Sequence, residues 1–250
     1  METLIFQLHA PLSSWGEVAV GEYRPTADYP SQSAIVGLLA AAFGIKREDE
    51  AAQIALNNGY KIAIGVLSQG RLLRDYQTAQ VPSRADLKKR PHATRKDELA
   101  IAKHDLNTIL STRDYRQAAA SLVAVQVSKT APYSLAELAQ ALKSPKFVLY
   151  LGRKSCPPAV PLYPLIMQTE TIKQAFADYW QPLAPSFVNR QSRPLCLQKL
   201  VWGDDWLGDD VGVMGEQRQL SITRKDKVIT RQGWQFGDRQ EHIAVLVQDE

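Results

Sequence analysis

The sequence predicts an α+β fold in which two β-α-β units share one sheet, and three observations carry that expectation. Apolar runs of strand length at residues 4–8 and 61–67 bracket a helical pattern, with Ile35, Leu38, Leu39, Ala42 and Phe43 spaced i, i+3, i+4, i+7, i+8. A second set follows at 119–128 and 146–152, around a helix opened by Ser134 and Glu137 as an S-x-x-E capping box. Between the two sets lies a long basic stretch with few apolar residues. With that stretch set aside as an insertion, the order β-α-β, β-α-β is the ferredoxin-like arrangement, which RNA-recognition motifs also use.

At 250 residues, 45% of them apolar, the chain is long enough for one large domain, or a domain with a subdomain, around a real core. A formal charge of +4 permits an acidic partner such as nucleic acid without requiring one. No apolar run reaches the length of a membrane span, and the N-terminus lacks a signal-peptide pattern, so a cytoplasmic protein with no membrane partner is expected. Cys156 and Cys196 have no CxxC partner and are expected as reduced thiols in or just beneath the surface of the core. His9, His92, His104 and His242 form no HxH or HExxH pattern, so no metal site and no cofactor is indicated.

In chain order, residues 4–8 (LIFQL) read as a buried first strand, and the loop PLSSWG follows. A polar loop with Arg24, Thr26, Ser31, Gln32 and Ser33 then feeds the first helix, which Ser31 or Ser33 can cap and Gly44 can end. The positive end of that helix faces an arginine and several hydroxyls, which suits an anion such as a phosphate; the same groups also serve as plain caps. Residues 46–58 predict a second, surface helix ending at Gly59. Ile62, Ile64 and Val66 share one face of the next strand, and Gln69-Gly70 is a turn into residues 71–80.

Residues 81–107 carry Arg84, Lys88, Lys89, Arg90, Arg95, Lys96 and Lys103. Such a run reads either as a solvated face or as an extended arm whose lysine-rich tip reaches for a polyanion. The chain returns through Ser111, Thr112, Arg113 and Tyr115 into the strand at 119–128. Leu135, Leu138 and Leu142 form the buried side of the following helix, and Pro145 lies beyond its end. The apolar run 146–152 reads as a central strand leading into Gly152-Arg153-Lys154, two charges beside a glycine that lets a ligand come close. Further on, ETIKQAFADYW predicts a helix, and LCLQKLVW, QRQLSITR, DKVIT and HIAVLV predict short strands separated by turns. Asp204, Asp205, Asp209 and Asp210 match no calcium-loop spacing and predict a solvated acidic loop.

A set of motifs in this order resembles one family. It comprises Ser14-Trp15-Gly16; Arg24-Pro25-Thr26 with Tyr29-Pro30 and Ser33; the helix from Gly37 to Gly44-Ile45; Leu73-Arg74-Asp75-Tyr76; and Ser111-Thr112-Arg113-Asp114-Tyr115. Tyr150-Leu151-Gly152-Arg153-Lys154-Ser155-Cys156-Pro157 and a late Arg231, Trp234-Gln235-Phe236 and Arg239 complete it. The chain is similar to the CasD-type (Cas-five-type) subunits that hold the 5′ handle of the guide RNA in type I-E CRISPR Cascade. The resemblance implies a RAMP-type ferredoxin-like core over residues 1–155 with an inserted β-hairpin thumb at about 81–110, and a β-rich accessory region over 156–250. It also implies no catalysis, and as partners the crRNA, the backbone and large Cascade subunits and, indirectly, target DNA in antiviral defence. The chain departs from the family pattern at Gln32 and in a longer, more acidic stretch at 204–217.

Reading single-stranded RNA takes cations for phosphates, flat groups for splayed bases and donors for base edges. Arg24, Arg74, Arg113, Arg153, Lys154 and Arg239 are the candidate cations beside core elements, with Lys88, Lys89 and Arg90 at the tip of the arm. Tyr76 and Tyr115 are candidate stacking faces, Ser33 a candidate hydroxyl, and Trp15 is read as packing. Arg113 is the leading candidate because it stands where the arm rejoins the sheet; the plain alternative is an ion pair with Asp114. A competing function is a metal-independent endoribonuclease assembled from Lys103, His104 and Tyr115.

Overall fold

The computed structural model describes residues 1–88, 91–187, 194–206, 208–213, 218–230, 233 and 235–246. Strand β1 (Glu2–His9) sets the layering, because it is apolar on both sides: Leu4, Phe6 and Leu8 enter one buried cluster and Ile5 another. Side chains alternate across a strand, so such a sheet needs a cover on each face. One cover consists of α1 (Gln32–Phe43), α2 (Glu50–Gly59) and α3 (Leu135–Lys143), which bring Ile35, Leu39, Leu56 and Leu138 against it. On the opposite face α4 (Ile172–Trp180) contributes Phe176 and Tyr179, joined by Trp202 and Trp206.

The sheet itself has seven strands, all antiparallel. Besides β1 they are β2 (Tyr60–Ser68), β5 (Ala120–Val127), β6 (Leu165–Gln168), β7 (Lys199–Gly203), β8 (Arg218–Thr230) and β9 (Gln235–Val245), in the order β6-β1-β5-β2-β7-β9-β8. Strands β3 (Arg71–Val81) and β4 (Asn107–Gln117) leave this sheet as a separate hairpin paired over its whole length.

The helices form where their caps predict. The Ser31 hydroxyl accepts the Ala34 N–H at 3.1 Å, and Gly44 closes α1 in the left-handed region at φ 72°. Ser134 and Glu137 make the reciprocal capping box of α3. The second helix starts later than residue 46, at Glu50, with Asp49 as its cap.

Three expectations are corrected. Residues 146–152 are not a strand: the Lys146 and Phe147 N–H groups donate to Ala42 and Ala41 at the end of α1, and Leu151 accepts from Ser14, so these groups are not available to the sheet. Residues 165–168 pair with β1 instead. The basic insertion is not itself the paired part of the arm: pairing runs from Arg71 with Gln117 to Val81 with Asn107, and residues 82–106 form a tip with helical turns at 84–88, 95–98 and 103–105. Hydroxyl caps start the first two of these turns, Ser83 accepting from Asp86 and Thr94 from Asp97. Lys89 and Arg90 lie outside the described residues, as do Arg231 and Trp234. Finally, the two short strands expected near the C-terminus are one long strand, β8, with a bulge.

In that bulge Lys225 and Asp226 face the single residue Asp238, because Arg224 pairs with Arg239 and Lys227 with Gly237. The extra residue turns Asp226 inward, where it is 5% exposed. Its carboxylate accepts from Arg239 at 2.9 and 3.0 Å and from the Gln32 N–H of α1 at 3.0 Å. Arg239 also bonds Glu241, which accepts from Arg224 at 3.3 Å and from the Tyr29 hydroxyl at 2.7 Å. Burial and the Glu241 carboxylate push the Tyr29 hydroxyl pKa well up.

Asp226→Ala removes both the capping anion of α1 and a partner of a largely buried guanidinium. We expect a loss of roughly 3–5 kcal/mol, read as a lower denaturant midpoint with an unchanged slope. A loss no larger than that of an exposed-site substitution would show that the network does not hold the C-terminal hairpin to α1.

Candidate nucleic-acid interface

Asp114 organises the root of the β3–β4 hairpin. It is 2% exposed, and its carboxylate accepts from Arg74 Nε at 2.9 Å, Arg74 Nη2 at 3.1 Å and the Tyr23 hydroxyl at 2.6 Å. The bidentate guanidinium is the main cause holding this carboxyl below the usual carboxylate range. The Arg74 guanidinium also lies 5.2 Å from the Tyr23 ring centroid. The Asp114 carbonyl accepts from Ser14 Oγ at 3.0 Å and Arg153 Nη1 at 3.3 Å, while Arg153 Nη2 reaches the Arg24 carbonyl at 3.2 Å. Residues 23–24 pair in parallel with Thr112–Arg113. One strand thus gathers Arg24, Arg74, Arg113, Tyr115 and Arg153.

The group divides by what each side chain already holds. Arg74 is engaged with Asp114, and Arg153 stacks over Tyr115 at 4.7 Å, so one face of that ring is covered. Arg113 is exposed and makes no side-chain hydrogen bond or ion pair with the described residues. The alternative pairing of Arg113 with Asp114 does not form, because neighbours on a strand point to opposite faces. Arg24 is exposed and bonds only backbone carbonyls, of Gly21 at 2.6 Å and Tyr23 at 3.1 Å. Lys154 is exposed beside Arg153, and Tyr76 is 59% exposed, two residues beyond Arg74 on the same face. Lys88 is exposed in the tip of the arm. Trp15 is 4% exposed and belongs to the core.

Other candidates lie elsewhere. Arg239 is taken up by Asp226 and Glu241. The anion at the start of α1 is the chain's own Asp226, which meets the helix dipole that the sequence offered to a phosphate. Ser33 stands there too, its hydroxyl 3.0 Å from that of Ser31. The ribonuclease trio is not assembled: Lys103 and His104 sit in the tip, Tyr115 at the root, and the strand from Asn107 to Tyr115 alone spans about 26 Å. Asp204 bonds His242 Nε2 at 2.6 Å, and among the described residues no group of three or more His, Cys, Asp or Glu could hold a metal. Cys156 is buried, but Cys196 is exposed rather than beneath the surface.

Sequence reasoning passed over Tyr23, Ser14 and the organising role of Asp114. The last was visible in part, since an acid flanked by Arg113 and Tyr115 within a mostly polar strand needs a partner. Gly152 was read as room for a ligand. Its φ is 87°, and a Cβ there would lie 1.7 Å from the Ser14 carbonyl oxygen, so it is room for the chain itself.

Gly152→Ala should therefore lower stability by roughly 2–4 kcal/mol through backbone strain and the clash, measured by thermal or denaturant unfolding. Asp114 gives a pH signature. Its folded pKa is depressed, so its stabilising contribution is present above the ordinary carboxylate pKa and is lost as pH falls through the folded value. The stability difference between the unmodified protein and Asp114→Asn should be flat near neutrality and shrink below about pH 4. A difference independent of pH would show that the ion pair is not what Asp114 contributes.

The model of a family described as CRISPR-associated protein (Cas_Cas5) matches residues 3–240. The chain is 29% identical over 197 residues to the CRISPR system Cascade subunit CasD of Escherichia coli (strain K12), covering 76% of this chain and 81% of the relative. Among solved structures, a chain of a CRISPR RNA-guided surveillance complex superposes with a TM-score of 0.61 at 24% identity, covering 97% of this chain and 90% of that one. A crystal structure of a Cas protein gives 0.56 at 22% identity, with 97% and 94% covered. At these identities the two structures speak for the fold, a mixed helix-and-sheet architecture with antiparallel sheets. With the family model matched across nearly its whole length, the chain belongs to the Cas5 family of CRISPR-associated proteins.

Proposed function

We propose that this chain is the non-catalytic subunit of a type I-E Cascade that binds the 5′ handle of the crRNA. Its β3–β4 hairpin is the thumb, laid against the guide and the neighbouring backbone subunit. The observation that carries this reading is the root of the hairpin, where Arg113 and Arg24, paired across neighbouring strands and so on one face, stand exposed beside Arg153 and Lys154, while Tyr76 is exposed on the other face with Arg74. Backbone pairing on one side and Asp114 on the other hold these groups in register, so phosphates and splayed bases meet a preformed surface. Both faces of the central strands are covered, which favours the thumb and the adjoining loops as the RNA surface, unlike an open-faced RNA-recognition motif.

In this reading the core is ferredoxin-like. Numbered within the two β-α-β units, β6-β1-β5-β2 is the order 4-1-3-2. The RNA-binding part, expected over residues 1–155, then takes its fourth strand from 165–168, and the β-rich remainder is the accessory region that joins the other Cascade subunits. Target DNA is reached only through the guide. The relative is a Cascade subunit by name, and the dispersal of Lys103, His104 and Tyr115 supports binding without cleavage.

Arg113→Lys keeps the charge and loses the planar fork, and should cost roughly 1–3 kcal/mol for the correct handle with much less change on scrambled RNA. Equal losses on both RNAs would mean that Arg113 supplies only charge. Replacing Lys88, Lys89 and Arg90 together by Ala should instead weaken both RNAs alike and flatten the salt dependence. Repeat RNA incubated with the protein, with or without a chelator, should stay full length; cleavage abolished by His104→Ala would overturn the non-catalytic reading.

A further inference from the structure

Across the root of the arm one row of side chains shares a face: Arg24 pairs with Arg113, and Arg113 with Asp75. Opposite charges at directly opposed positions have Cβ atoms about 5 Å apart and normally close into a cross-strand ion pair. Arg113 and Asp75 form no such pair. Two residues along the strand from Asp75, and on the same face, the Gln77 amide donates to both carboxylate oxygens, at 3.0 and 3.1 Å. A neutral donor thus draws the carboxylate along its own strand, and the exposed guanidinium opposite keeps its donors. The carboxylate still has room to accept, because it offers about four lone-pair sites. An open pair of acceptors therefore stands next to an open fork of donors.

We infer that this divided pair selects a guanine of the bound single strand; the inference rests on the RNA-binding reading above and names the base that its surface reads. A carboxylate is out of place on a surface that only holds phosphates, because it repels them. It suits a base edge that offers two donors side by side. Guanine alone among the four RNA bases does so, through N1–H and the N2 amino group, and its adjoining edge presents O6 and N7, the two acceptors that an arginine fork fits. Asp75 takes the first edge and Arg113 the second. Adenine, uracil and cytosine each bring a single donor group to the carboxylate. Leu73, 38% exposed and two residues before Asp75 on the same face, gives the ring an apolar contact. Arg24, at the other end of the row, is left for the phosphate.

The test measures the affinity of the full chain for repeat RNA in which each guanine in turn is replaced by inosine, which lacks only the N2 amino group, or by 7-deazaguanine, which lacks N7. At one guanine both replacements should weaken binding by about tenfold. Asp75→Asn removes a negative charge, so through charge alone it would tighten every RNA. It should instead weaken binding of the parent RNA and abolish the inosine penalty at that guanine, while the 7-deazaguanine penalty persists. Arg113→Lys should do the converse. Inosine tolerated at every guanine, or Asp75→Asn tightening parent and scrambled RNA alike, would overturn the inference while leaving RNA binding intact. Equal binding of parent and scrambled RNA by the unmodified chain would overturn the handle-binding reading, and this inference with it.

Discussion

A single buried carboxylate holds the working end of this molecule together. Asp114 is removed from water in the middle of a strand, where an unpaired charge is intolerable, and its neutralisation by Arg74 and Tyr23 adds side-chain bonds between three stretches of chain that are also paired through their backbones. Neighbours on a strand point to opposite faces, so Arg113 stands on the face away from the Asp114 carboxylate and is left exposed with no side-chain bond to the described residues. The backbone carbonyl of the same residue then fixes Ser14 and Arg153. Charge is gathered on the surface because one opposite charge is sequestered beneath it.

The C-terminal hairpin repeats this logic for a structural end. Asp226 is turned inward by a bulge and meets both Arg239 and the Gln32 N–H at the start of α1. A helix terminus that resembles a phosphate site in the sequence is thus already satisfied by a residue almost two hundred positions away. The Tyr29–Glu241 bond ties the same β8–β9 ribbon to the segment that leads into α1.

Local features were legible and distant partners were not. Caps act within one turn, so Ser31, Gly44, Ser134 and Glu137 marked α1 and α3 correctly from the sequence. Strands 60–68 and 120–127 were legible because their apolar runs face core on both sides. The run FVLYL at 147–151 carries the same composition, and nothing in it records that its first donors go to the end of a helix. Among the site residues, Arg113 and Arg239 look alike in sequence. What separates them is the number of carboxylates each is bonded to, none of the described residues' for Arg113 and two for Arg239, which only the fold supplies.

The paired arm also behaves as a graduated ruler. Its strands run eleven residues, about 36 Å, before the helical tip begins. Side chains alternate along it, so inserting or deleting one residue per strand would reverse every side chain beyond that point, turning Lys88 and its neighbours to the opposite side of whatever the arm lies against. Only changes by two preserve the facing, and each such step moves the tip by about 7 Å, close to the rise of two stacked nucleotides. The length of the arm can therefore change without turning its tip around only in steps of two residues per strand.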